Sequence, residues 1–198
     1  MKIKLWWCLL IIISINSCET VELPKPDAYL RLDYPEPNYK YVSFDNTNIN
    51  FQINKVDTSV FDLEIDDDND SLLSKNIIYP SIKAEILLKY YSITKNNKLS
   101  YRLKDLSDFS SIHLRKSSTP AKVQEFIDDQ KRVYASIINI PGDVTSPYQF
   151  YATDSTTNLI IGILNLKAKT KYDSVLPSLS YLKNDIYHLI ESINWNEQ

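Results

Sequence analysis

Leu179, Leu182, Ile186, Leu189 and Ile193 recur at intervals of three, four, three and four, the spacing of one face of an α-helix. This stripe constrains the fold more tightly than any other feature of the chain. A helix with one continuous apolar face must bury it against a second surface. Asp173 or Ser174 offers an N-cap side chain. Pro177 is expected in the first turn, where a missing N–H costs little, and Trp195 stands at the far end.

The partner surface is expected to be a sheet. Residues 41–44, 49–53 and 60–65 alternate apolar and polar, the period of a half-buried strand. Residues 66–71 interrupt them as a polar loop. Residues 82–93 form a longer apolar run suited to a central strand. Residues 121–127 and 132–140 flank the turn-like Asp128-Asp129-Gln130-Lys131, and residues 148–153 and 159–166 flank 154–158, so two hairpins are expected. Pro141-Gly142-Asp143 marks a further turn. Between the strand blocks, Leu99, Leu103, Leu106 and Phe109 or Ser110 shift to a helical period, giving a helix from 99 to about 117, with Pro120 beyond it. The expected class is α+β, a mainly antiparallel sheet packed by two amphipathic helices. The order of elements also resembles a Mog1/PsbP-like α/β/α sandwich, as fold-level analogy alone.

The first eighteen residues carry a different signal. Lys2 and Lys4 precede an apolar stretch at 5–15 that is too short to span a bilayer. Ile15-Asn16-Ser17-Cys18 follows directly and resembles the lipobox of bacterial lipoproteins: a branched aliphatic, a tolerant position, a small residue, then cysteine. Residues 1–17 are therefore expected to be a signal peptide cut between Ser17 and Cys18, with a diacylglycerol on the Cys18 thiol. Cys8 is no rival, because bulky Trp7 precedes it and too few apolar residues stand before it.

Cleavage would leave 181 residues with a formal charge of −5, since Lys2 and Lys4 are lost from 22 basic residues set against 25 acidic ones. That balance argues against a nucleic-acid footprint. With Cys18 lipidated no disulfide staples the fold, so the core must suffice, and this length buries one ample core. Pro24, Pro26, Pro35 and Pro37 make residues 18–40 an extended lipidated tether, with Tyr29, Leu30, Leu32 and Tyr34 as apolar docking points. Residues 41–198 are expected to form a single α+β domain.

Catalytic chemistry is sparse. His113 and His188 are the only histidines, and neither has a second ligand at metal-binding spacing. Two glycines in 198 residues exclude phosphate-cradling loops, and no serine lies in a G-x-S-x-G elbow. Asp66, Asp68 and Asp70 begin like a calcium loop, but Ser71 stands in the glycine position and Ile77 in that of the bidentate glutamate. A solvated acidic loop is the better reading, with weak calcium binding left open. Gln149, Thr153, Asp154 and Ser155 either present an interaction surface or form a strand followed by an Asx-type turn. Tyr79, Tyr90, Tyr91, Tyr101, Tyr148 and Tyr151 either make an aromatic binding surface or edge the core. No enzyme, catalytic residue, metal or cofactor is expected.

Several stretches, in order, resemble the gliding motility lipoprotein family GldD of the Bacteroidota. They are Leu23-Pro24-Lys25-Pro26, residues 28–35, residues 79–86, Ser146 to Phe150 with Thr153-Asp154-Ser155, and a C-terminal set of Tyr172-Asp173-Ser174, Pro177, Asp185, His188-Leu189-Ile190 and Trp195. Residues 45–78 diverge from that pattern, and residues 159–166 lack the aromatics expected there. The resemblance implies a role in gliding motility and the linked type IX secretion apparatus, and no known catalytic activity. The expected protein is a non-enzymatic envelope component acting through protein contacts. It is held to the bilayer by acyl chains (palmitate among them) on Cys18. The alternatives are a small-ligand or glycan-binding module and, last, a hydrolase with dispersed carboxylates. Glu19 and Glu22 are a thin version of the acidic residues of surface-exported lipoproteins, so an outer-membrane lipoprotein facing the periplasm is expected.

Overall fold

The computed structural model describes residues 34–45, 47, 49–63, 72–95, 97–117, 119–167 and 172–195. The expected signal peptide, Cys18, most of the tether and the Asp66–Asp70 run lie outside them. Strands β1 (Tyr39–Ser43) and β2 (Asn50–Asn54) form an antiparallel pair of their own. Strands β3 (Ser59–Leu63), β4 (Leu72–Tyr79), β5 (Ala84–Ser92), β6 (Lys122–Asp128), β7 (Val133–Asn139), β8 (Tyr148–Thr153) and β9 (Asn158–Leu166) make a seven-stranded sheet of order β3-β4-β5-β9-β8-β7-β6. Every neighbouring pair is antiparallel. Helix α1 (Leu99–Leu114) connects β5 to the far edge at β6, and α2 (Tyr172–Glu191) follows β9. The fold is α+β with a mainly antiparallel sheet, as the alternation of periods predicts.

Alternation along the strands splits the sheet into two apolar faces. On one, Ile77, Ile86, Leu88, Ile137, Phe150, Ile160 and Leu164 are buried, and Leu179, Leu182, Ile186 and Leu189 of α2, with Ile193 just past its end, pack into the same cluster. The β1–β2 pair joins that layer through Phe44, Phe51 and Ile53. On the other face, Tyr91, Leu159 and Ile161 receive Leu99, Leu103 and Leu106 of α1. The result is three layers, with helices on both sides of the sheet. Each fully buried stripe residue contributes on the order of 1.5–3 kcal/mol of apolar transfer.

Phe150 and Gly162 are opposed on β8 and β9. A Cβ at 162 would lie 2.0 Å from Phe150 Cζ, so the ring occupies the space that any side chain there would need. Lys75 is buried on the same face towards the β3 edge, where it pairs with Asp45 at 3.3 Å and with Asp62.

Three differences from the sequence reading stand out. Strand β4 carries the doublets Leu72-Leu73 and Ile77-Ile78, which mask its alternation; its pairing on both sides makes it a strand. Helix α2 begins at Tyr172, so Asp173 and Ser174 fall inside it and Pro177 in its second turn. One backbone N–H is lost there, and the buried stripe beyond it holds the helix in place. The tether reading stops short of residue 40: Tyr34 already stacks on Tyr181 of α2 at 4.7 Å, and Tyr39 already opens β1.

Candidate functional site

A polar seam runs between the β1–β2 pair and α2, and it widens into a groove at the end of the sandwich. It exists because of strand register. Tyr39 pairs with Asn54, Tyr41 with Gln52 and Ser43 with Asn50, so one face of the pair carries six polar or aromatic side chains. Val42, Phe51 and Ile53 on the other face belong to the apolar cluster.

Asp185 is the buried centre of the seam. Its Oδ1 accepts the Tyr39 hydroxyl at 3.1 Å and its Oδ2 accepts Asn54 Nδ2 at 3.2 Å. The Tyr79 hydroxyl faces the same carboxylate. Burial holds the carboxyl above its ordinary range, and Asn54, Tyr39 and Tyr79, with nearby His188, work against that shift. Asn54 Nδ2 also donates to the Tyr181 hydroxyl at 2.7 Å, and Tyr34 and Ser178 hydroxyls meet at 2.6 Å. Burial first, then the neighbouring carboxylate, pushes the Tyr39 and Tyr79 phenols up, so both stay protonated donors. One turn further along α2, the His188 ring stacks on Tyr39 at 3.5 Å, with Nε2 2.7 Å from Gln52 Oε1.

The groove has a volume of about 1040 Å³. Asn50, Gln52 and Tyr41 come from β1–β2. Ser192, Ile193, Asn194 and Trp195 come from the end of α2 and beyond, Gln130, Lys131 and Arg132 from the β6–β7 turn, and Asp154 from the β8–β9 turn. Its walls are fixed by backbone bonds. Asn50 and Asn194 exchange N–H and carbonyl at 3.0 and 2.8 Å, and the Trp195 indole N–H donates to the Arg132 carbonyl at 3.0 Å. Lys131 Nζ donates to the Glu191 carbonyl at the C-terminus of α2, where a cation suits the helix dipole. Arg132 reaches the Asp154 carbonyl at 3.3 Å and Thr156 Oγ1 at 3.0 Å. Tyr41 is 68% exposed. The groove thus offers amide donors and acceptors, two cations and one exposed aromatic face.

The four residues that read either as an interaction surface or as a strand and Asx-type turn are placed differently from one another. Gln149 is fully buried; its Oε1 accepts Ser110 Oγ of α1, and its Nε2 donates to the Ser146 carbonyl at 3.4 Å. Thr153 is buried and donates to the Asn158 carbonyl at 2.6 Å. Asp154 caps the β8–β9 turn, accepting the N–H groups of Thr156, Thr157 and Asn158 at 2.8–2.9 Å and the Asn158 side chain at 2.7 Å. Burial opposes its charge, but these donors override it and hold its carboxyl down at about 2. Ser155 is exposed at the turn tip with φ 66°. The polar stretch builds the hairpin, and Asp154 alone of the four also lines the groove.

The expected single histidines are also located. His113 is buried at the end of α1 beside Phe109, its ring centroid 4.8 Å away. Its Nδ1 has no hydrogen-bond partner among the described residues, and burial lowers its basicity, helped by Lys116. His188 belongs to the seam. Among the described residues no three or more of His, Cys, Asp and Glu are placed to hold a metal ion, and no helix is long and apolar enough to cross a membrane.

The groove residues escape a linear reading because they come from five separate stretches of the chain. The readable cues are the turn at 128–131, Asp154 and Trp195. Tyr79, Asp185, His188 and Trp195, scattered through the motifs noted in the sequence, converge on the seam and its groove. The family model described as gliding motility lipoprotein GldD matches residues 19–195. No curated protein and no solved structure matches the chain.

Proposed function

The chain belongs to the gliding motility lipoprotein GldD family, and from that membership we propose a non-enzymatic envelope component that acts through protein contacts at the polar groove. In this reading lipid on Cys18 holds it to the outer membrane, the domain faces the periplasm, and its partners belong to the gliding and type IX secretion machinery. The observation that supports it is the groove's make-up. Asn50, Gln52, Gln130 and Asn194 surround an exposed Tyr41, with Lys131 and Arg132 at one wall. Amides that both donate and accept, beside an aromatic ring, suit an extended polypeptide.

The amide lining also favours a second reading, a glycan in the same groove. The two part on one test. Cells carrying Tyr41→Ala with Lys131→Glu should stop gliding while chain level holds and the domain stays folded, with only a small fall in thermal stability from the lost Lys131 bond to the Glu191 carbonyl, and purified wild-type chain should bind none of the envelope's own polysaccharides. Full gliding by that double variant would remove the groove from the function. Tight polysaccharide binding lost in the variant would favour the glycan.

A further inference from the structure

Strand β6 is an edge of the seven-stranded sheet, and along its length it exposes apolar residues that edges normally avoid. Val123 is 60% and Ile127 65% exposed. Both lie on the α1 side of the sheet, next to Ile138 and Tyr134 of β7, their register partners. The strand reads Lys122-Val123-Gln124-Glu125-Phe126-Ile127-Asp128. We propose that β6 pairs antiparallel with β6 of a second copy about a two-fold axis through Glu125, joining two sheets into one.

The argument is self-complementarity. A two-fold axis normal to the sheet keeps each face continuous, so residues opposed across it must share a face. Centred on Glu125, all seven residues are used. Lys122 meets Asp128 of the other copy twice, and Val123 meets Ile127 twice; opposite charges and apolar pairs directly opposed are favourable cross-strand partners. Asp128 is already fixed at the strand end, because its Oδ1 accepts the N–H groups of Gln130 and Lys131 at 3.0 Å. Shifting the axis by one residue, a register shift of two, shortens the ladder to five and loses both charge pairs. The opposite edge lacks this symmetry: β3 about Phe61 would set Val60 against Asp62 and Ser59 against Leu63. The charge pattern and the exposed pair therefore fit a second copy of this chain. Glu125 facing itself is the one repulsive contact, and it makes the pairing weak and reversible.

The test reads register in the full-length chain in its own membrane. Opposed Cβ atoms lie about 5 Å apart, whereas Val123 and its own copy lie roughly 14 Å apart along the strand. A bismaleimide too short for the second gap should give a double-mass product with Glu125→Cys, none with Val123→Cys alone, and the product again when Val123→Cys and Ile127→Cys chains are co-expressed. The wild-type chain, with Cys8 and Cys18, sets the background. Glu125→Gln should tighten self-association roughly two- to fivefold by sedimentation in detergent, since a like-charge pair is removed. Monomer alone from both Glu125→Cys and the mixed pair, equal product from Val123→Cys alone, an adduct of another protein's mass, or no tightening by Glu125→Gln would overturn the proposal.

Discussion

The hydroxyl of Tyr39 donates to Oδ1 of Asp185 at 3.1 Å, binding the first described strand to the last helix at the bottom of the polar seam. Burial raises the Asp185 carboxyl above its ordinary value of 3.8, so the folded state disfavours its charge. A raised pKa means that the folded chain holds the proton more tightly than the unfolded one. This contribution to stability is full below the ordinary value and is lost as pH rises through the raised one. Urea unfolding from acid to neutral pH should show that decline in the wild type and a flatter profile in Asp185→Asn; an unchanged slope would exclude Asp185 as its source. Tyr39→Phe should cost about 1–3 kcal/mol, because it leaves a buried carboxyl oxygen without its donor.

Asp154 has the opposite sign. Its carboxyl is held down at about 2 against an ordinary 3.8, so its contribution is present above the ordinary value and lost as pH falls through 2. The depression corresponds to roughly 2.5 kcal/mol. Asp154→Ala should lower stability near neutrality by about 2–3 kcal/mol, because three turn N–H groups lose their acceptor. It should also remove the wild type's loss of stability between pH 4 and 2. A variant as stable as wild type at pH 7 would show that the turn does not depend on this cap.

Gly162 has no room for a side chain beside the Phe150 ring. Gly162→Ala should cost about 1–3 kcal/mol or more through overpacking against Phe150, read as a fall in the urea midpoint. Phe150→Leu in the same chain should recover part of that loss, since the two residues share one space. Additive losses would contradict the contact.

Cys18→Ala tests the proposed tether. The domain should unfold at the same temperature as wild type, since no disulfide is lost, but the chain should be misprocessed or appear in the soluble fraction. A single acyl chain holds only marginally and stable anchoring needs at least two, so partial lipidation should give partial release. A variant that stays in the membrane and supports full gliding would make the lipid dispensable.

Much of this fold is legible in the sequence, for reasons visible residue by residue. Strand β8 at Tyr148–Thr153 has the bounds that its flanking turn signals imply, and the stripe from Leu179 to Ile193 is buried throughout. Strand β4 hides because paired leucines and isoleucines blur a period of two. Gln149 reads either as a surface residue or as part of a strand; it is a buried residue of β8, and Ser110 satisfies it across 39 positions of sequence. No local pattern announces such a partner. The groove is still less legible: Tyr41, Gln130 and Asn194 become neighbours through strand register and the docking of α2, which only the folded chain specifies.

The central claim is that the Tyr41–Lys131 groove is a protein-docking surface. The most direct test is co-purification of the C-terminally tagged chain from gently crosslinked cells, wild type beside Tyr41→Ala with Lys131→Glu. The wild type should bring down a discrete set of gliding and secretion components, and the double variant should lose them while remaining folded and membrane-bound. A wild-type chain recovered alone, or the same set recovered with both chains, would contradict it.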